Sequence, residues 1–198
     1  MAVKGTSNET WLLGGAVIVT VAFLVVALFN PGAFDPEPDW EVSDGCLGGL
    51  QRNDEGELVH AESKIAKHYH PSLRIIMNGQ NFPIDANTGV DQPGCREGMR
   101  WIHVHSAAEG TGFTTLHIET PSAMNVPLGS FFEVWGMEGG PTLDGDRNFD
   151  INRNGVSDWE EYNISMTVDG EPNEKFESFI MGYPDQDGAK IELIFTSK

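Results

Sequence analysis

Basic residues are scarce in this 198-residue chain: 12 Lys and Arg stand against 30 Asp and Glu, a formal net charge of −18. That deficit excludes a nucleic-acid surface, which needs basic patches, and a domain lying on anionic lipid. It suits salty surroundings, the capture of cations, or simply a well-solvated exterior. Cysteine is nearly absent, with only Cys46 and Cys95. In an extracytoplasmic domain an even pair implies one disulfide. The rival reading makes Cys95, just upstream of His103, a metal ligand and leaves Cys46 unpaired. The sequence shows no Gly-rich phosphate loop, no nucleophile elbow, and no repeat beyond recurring hairpins.

There is one long apolar run, Trp11–Phe29, 19 residues without a charge. A helix needs roughly 20 such residues to cross a bilayer. A cleaved signal peptide would show a shorter apolar core, a more basic start and a small-x-small cleavage site. This run ends in Leu-Phe-Asn-Pro-Gly. The sequence therefore predicts a cytoplasmic segment 1–10, an anchor 11–29, a Pro- and acid-rich linker 30–45, and an extracytoplasmic domain 46–198. The orientation follows from Lys4 before the run and Asp35, Glu37, Asp39, Glu41 and Asp44 after it, with no basic residue until Arg52.

Within the domain, strand and turn signals dominate and predict a mainly β fold, a hairpin-rich sheet or sandwich with one or two short helices. Leu73–Met77, Asn78-Gly79 and Gln80–Ile84 read as a hairpin, because Asn-Gly supplies the two positive-φ residues of a type I′ turn. Pro83 marks an edge strand or its end. Ile164–Val168 before Asp169-Gly170, and Asp187-Gly188 before Lys190–Phe195, repeat the theme. Ser130 and Glu133 are spaced as a capping box for a short helix stopped by Gly136, with Phe131, Phe132 and Trp135 facing the sheet. Glu160-Glu161-Tyr162 reads as a further helical turn.

Five of the six histidines fall in two short stretches, His68-Tyr69-His70 and the span holding His103, His105 and His117. Residues two apart on a strand share a face. If the His103 and His117 runs pair, three imidazoles and Glu119 share one side of a sheet. Imidazole is the commonest protein metal ligand near neutral pH. Zinc takes three or four such ligands in a tetrahedral shell, and copper(II) takes them in a tetragonal one. His68 or His70 is the candidate fourth ligand. Glu119 is a candidate ligand, a partner orienting an imidazole, or a general base. Glu109 after His103-Val104-His105 gives a partial cupin pattern. The bland alternative is a polar network without metal.

A second cluster lies at residues 144–161, DGDRNFDINRNGVSDWEE. Counted from Asp150, it has the spacing of an EF-hand calcium loop. Oxygen side chains at Asp150, Asn152 and Asn154 are followed by Gly155, the Val156 carbonyl, Asp158 and Glu161. Ser157 stands where an EF-hand has an aliphatic residue, and no amphipathic helix precedes the loop. The stretch therefore resembles the isolated calcium loops of thrombospondin type 3 and dockerin-like repeats. Asn163-Ile164-Ser165 and Asn8-Glu9-Thr10 are glycosylation sequons. The methionines read as core filling rather than copper ligands.

From His70 onward, HPSLRIIMNGQNFPIDANTGV, CREGMRWIHVHS, LHIETP and LGSFFEVWG are similar to a little-characterised family of membrane-anchored or secreted archaeal and bacterial proteins. That resemblance implies a shared domain and histidine site; it implies no reaction. The sequence thus reads as a single-pass membrane protein with a metal-binding domain, copper or zinc at the histidines and structural calcium at the acidic loop. Two other readings stand beside it. One is a hydrolase-type enzyme with a three-histidine zinc site and Glu119 as base. The other is a calcium-stabilised envelope interaction module, with an unidentified protein partner and no transition metal.

Overall fold

A computed structural model describes residues 8–29, 35–61, 63–108, 110–182 and 187–198. Asn8–Phe29 is one α-helix, and its Trp11–Phe29 portion, with mean hydropathy 2.8, is long and apolar enough to cross a membrane or to serve as a signal sequence. The rest of the described chain from Pro38 forms a second compact unit. That boundary corrects the predicted linker 30–45, because its C-terminal part belongs to the domain. Trp40–Asp44 forms a 3-10 turn that buries Val42 and Ser43, and Asp39 N–H donates to the Asn125 carbonyl at 2.8 Å. The buried Val42 and the half-buried Trp40 anchor this acid-rich run. The Arg147 guanidinium lies 4.6 Å from the Trp40 ring centre.

The domain is mainly β, as the alternating pattern predicts. Its largest sheet has a central parallel pair, Ser72–Met77 against Lys190–Ser197, with Leu73 opposite Ile191 and Ile75 opposite Leu193. Tyr162–Val168 runs antiparallel along the other edge of Lys190–Ser197. Alternation sends Leu73, Ile75, Ile191, Leu193 and Phe195 into the core, all at most 1 % exposed. The Asn78-Gly79 turn forms as its sequence predicts, with φ of 49° and 80°, and joins Ser72–Met77 to Gln80–Phe82. The second strand stops immediately before Pro83, which has no N–H to donate.

A five-stranded sheet gathers Cys46–Leu47, Leu50–Arg52, Leu58–His60, Val90–Gln92 and Cys95–Arg100. Cys46 and Cys95 are disulfide-bonded, which removes Cys95 as a metal ligand.

The Leu128–Gly136 helix plugs the core with Phe131, Phe132, Val134 and Trp135. It starts earlier than the capping-box spacing implies. Pro127 is the N-cap and no side chain caps the end. Ser130 lies inside the first turn and donates to the Trp40 carbonyl at 3.3 Å, while Glu133 pairs with Arg147. Gly136 is the last helical residue, and any Cβ there would come within 2.6 Å of the Thr142 hydroxyl.

Candidate metal centre

The histidines meet on a separate three-stranded sheet, ordered Lys67–Tyr69, His117–Thr120, Ile102–His103. His117 lies directly opposite His103, and Glu119 directly opposite His68. The two-residue period does the sorting. Tyr69, Ile102 and Ile118 turn into the core, at 8 %, 0 % and 0 % exposure. Their neighbours His68, His103, His117 and Glu119 share the opposite face. His70 and His105, each two residues beyond a strand histidine, extend that face. His68 and Tyr69 belong to an edge strand, Lys67–Tyr69, that pairs with the HIE segment and is distinct from the Ser72–Met77 strand that follows it, and His70 lies just past its end.

Two groups of three imidazoles result: His103, His105 and His117, and His68, His70 and His117. In each, one ring nitrogen per residue lies within 4.8 Å of the other two. His103 Nε2 is 3.2 Å from His105 Nε2, and His103 Nδ1 is 2.9 Å from the Arg100 carbonyl. A carbonyl can only accept, so Nδ1 carries the proton and Nε2 presents its lone pair. Glu119 Oε1 is 3.0 Å from His68 Nε2, and Asp187 Oδ1 is 3.5 Å from His70 Nδ1. The Nδ1 of His117 is enclosed and has no hydrogen-bond partner.

Two positions near the rings had no histidine role in the sequence. Asp187, expected only to make a turn, also accepts from the His70 backbone N–H at 2.8 Å. Gly89 adopts φ +85°, and a Cβ there would sit 2.7 Å from the Ile102 carbonyl and 2.9 Å from His103 Cβ. Only glycine lets this turn lie so close against His103. Glu109 of the cupin-like spacing lies outside the described residues.

Burial, more than any other factor, drives His103 down to about 4, and repulsion from His105 and His68 adds to it against the Arg100 carbonyl. His117 also falls to about 4, through burial first and then His105, His103 and His70, opposed by Glu119. Both rings are therefore neutral at pH 7 and ready to bind a cation. The folded pKa lies below the unfolded value, so the folded state holds fewer protons across this window. The contribution to stability is complete above about 6.5 and is lost as pH falls toward about 4. Thermal melts of the chelator-stripped chain are expected to show a steadily falling Tm over that window. Asp158, shifted the opposite way, offsets part of that fall, so the profile is compared with that of His103→Asn, and identical profiles would contradict the burial of the ring.

Beside the rings is a cleft of about 450 Å³ lined by His105, Ser106, Ala107, Phe113, Thr115 and His117. Glu119 does not line it. Glu119 is 7 % exposed and engaged with His68, a position that fits an orienting partner better than a base.

The acidic loop also closes on itself. Asp150 accepts from the Asn154 and Gly155 backbone N–H groups at 3.1 and 3.0 Å. Asn152 and Asn154 side-chain amides donate to Glu161 at 2.8 and 3.1 Å. Asp158 accepts from Ile151 N–H at 2.7 Å through Oδ2, while its Oδ1 is buried without a partner. Burial, followed by repulsion from Asp150, Glu161 and Asp144, raises Asp158 to about 6. Ser157 caps the Asp158–Glu161 helix by accepting from Trp159 N–H, which accounts for a hydroxyl where an EF-hand has an aliphatic side chain.

Fold and site together define a class: a mainly β domain, preceded in the chain by an apolar helix, with histidine groups able to hold a metal ion. Beyond that class the comparisons are silent, since no family model, no curated protein and no solved structure matches the chain.

Proposed function

We propose that this is a membrane-anchored, extracytoplasmic metal-binding protein that takes copper or zinc on its histidine face and calcium in its acidic loop. One observation carries the first part. The His103 and His105 Nε2 atoms stand 3.2 Å apart, and His117 joins them in one group, with one nitrogen per ring within 4.8 Å of the others. Two nitrogens bound to one zinc at about 2.0–2.1 Å in a tetrahedron lie about 3.3 Å apart. In the free chain the neutral His105 ring can donate its Nε2–H to the His103 Nε2 lone pair, and a cation that displaces that proton would take both nitrogens. The Arg100 carbonyl and the Glu119 carboxylate are the kind of partners that orient metal-bound histidines.

The calcium assignment rests on Asp158, whose buried, unpartnered Oδ1 belongs to a loop with two further carboxylates, Asp150 and Glu161. A hard cation would satisfy that oxygen and offset the repulsion. Val156 would add its carbonyl, and Asn152 and Asn154 their amide oxygens. Placement outside the cytoplasm draws on the disulfide, which persists in oxidising compartments, and on the charge asymmetry around the apolar helix.

The cleft at His105 and His117 favours a second reading, in which a bound zinc activates water for hydrolysis. That reading would need a base other than Glu119. The test of metal binding is direct. The full chain in detergent, stripped with chelator and dialysed against micromolar zinc or copper, is expected to retain metal, and His105→Ala to weaken retention. Failure to retain either ion would end the transition-metal reading.

A further inference from the structure

We infer that the histidine face holds two metal ions, not one, with His117 shared between them. This deepens the transition-metal reading and rests on it. A single four-histidine centre, closed by His68 or His70, is the simpler expectation from sequence, and the geometry argues against it. The ligand atoms fall into two triads with only His117 in common. Its ring lies 5.4 and 4.4 Å from those of His103 and His105, and 5.9 and 5.0 Å from those of His68 and His70. Among the described rings, no ring-to-ring contact joins one pair to the other, and the pairs feel each other only through the longer-range repulsion between His68 and His103.

Each pair also has its own orienting groups. On one side the Arg100 carbonyl holds His103 Nδ1 at 2.9 Å and frees its Nε2. On the other side Glu119 holds His68 Nε2 at 3.0 Å and Asp187 lies 3.5 Å from His70 Nδ1. Those contacts leave His68 Nδ1 and His70 Nε2 as the free lone pairs. Partners of this kind typically accompany each ligating imidazole, and a lone centre at His103, His105 and His117 gives no role to the Glu119–His68 contact or to Asp187 beside His70. The two carboxylates also supply negative charge where a second dication would sit.

An imidazole can serve two ions because its nitrogens lie on opposite sides of the ring. Nδ1 of His117 is enclosed and lacks a hydrogen-bond partner, as a metal-facing nitrogen does. With one nitrogen on each ion, the ring gives up its N–H proton to solvent as the second ion binds. The shared imidazolate then places one negative charge between two cations. The cleft lined by His105 and His117 leaves one ion a side open to an exogenous ligand.

The experiment counts zinc. The full chain in detergent, with excess calcium present to occupy the acidic loop, is dialysed against zinc and analysed for metal per chain. Two ions are expected in the wild type. His68→Ala with His70→Ala, at positions 45 % and 43 % exposed and so tolerant of change, is expected to keep one. His105→Ala is also expected to keep one, and His117→Ala to lose both. Circular dichroism of each variant confirms that the fold is retained. One ion in the wild type, undiminished by His68→Ala with His70→Ala, would overturn the pair and leave a single-ion centre standing. Two ions retained by a folded His117→Ala would overturn the sharing. No zinc at all would instead sink the underlying metal reading.

Discussion

Replacing Cys46 and Cys95 together by alanine is expected to lower the stability of the domain by about 4 kcal/mol. The two cysteines are 49 residues apart in sequence, and the chain-entropy model gives about that value for a loop of this length. The reason to expect the full amount is local. The main hydrophobic cluster lies elsewhere, and around the disulfide only Cys46, Ala61 and Cys95 form a buried apolar group. The five-stranded sheet is thus stapled where it has little apolar area to bury. Its last strand, Cys95–Arg100, delivers the carbonyl that orients His103. Loosening it should therefore weaken metal retention as well. Denaturant unfolding of wild type and double variant measures the first effect, and hydrogen exchange should localise the loss to residues 46–100. A stability change under about 1 kcal/mol would show that other contacts already restrain this loop.

The second large effect is at Asp158. Without a cation, a carboxylate raised from 3.8 to about 6 destabilises the folded loop at neutral pH. For a raised acid the sign is the reverse of that for the histidines. The contribution is favourable below the unfolded value and is lost as pH rises through about 6. Asp158→Asn keeps the shape and removes the charge. It is expected to stabilise the calcium-free chain at pH 7 by on the order of 1–3 kcal/mol. In wild type, calcium at about 100 times its Kd should add about 2.7 kcal/mol, and in Asp158→Asn most of that gain should vanish. Calorimetry with calcium and with chelator separates the outcomes. A calcium response that survives Asp158→Asn intact would remove this loop from consideration. No calcium response in either protein would leave an acidic turn held by its own hydrogen bonds.

Local chemistry was legible in the sequence wherever one short segment decides its own geometry. Asn78-Gly79 and Asp169-Gly170 both take the positive φ angles that their side chains, or lack of one, permit. Alternation around His103 and His117 fixed which residues share a face, and the structure sets those two histidines opposite each other. The capping box failed for a physical reason. Ser130 and Glu133 had the right spacing, but Pro127, with its fixed φ and no N–H, starts the helix sooner, and packing against Trp40 and Arg147 claims both side chains. The linker boundary failed because composition does not reveal that Trp40 packs, half-buried, against a helix some 90 residues later in the chain.

The sequence by itself determined the apolar anchor-length helix, the β character, the turn chemistry and the identity of the candidate ligands, because each depends on composition or on neighbours a few residues apart. Only the tertiary structure decided how the histidines divide. The Lys67–Tyr69 strand pairs with His117–Thr120 across about 50 residues of chain, and Asp187 reaches His70 from 117 residues away. Such pairings depend on how separate strands share one core, which no local pattern encodes. They turn a row of five histidines into two triads hinged on His117.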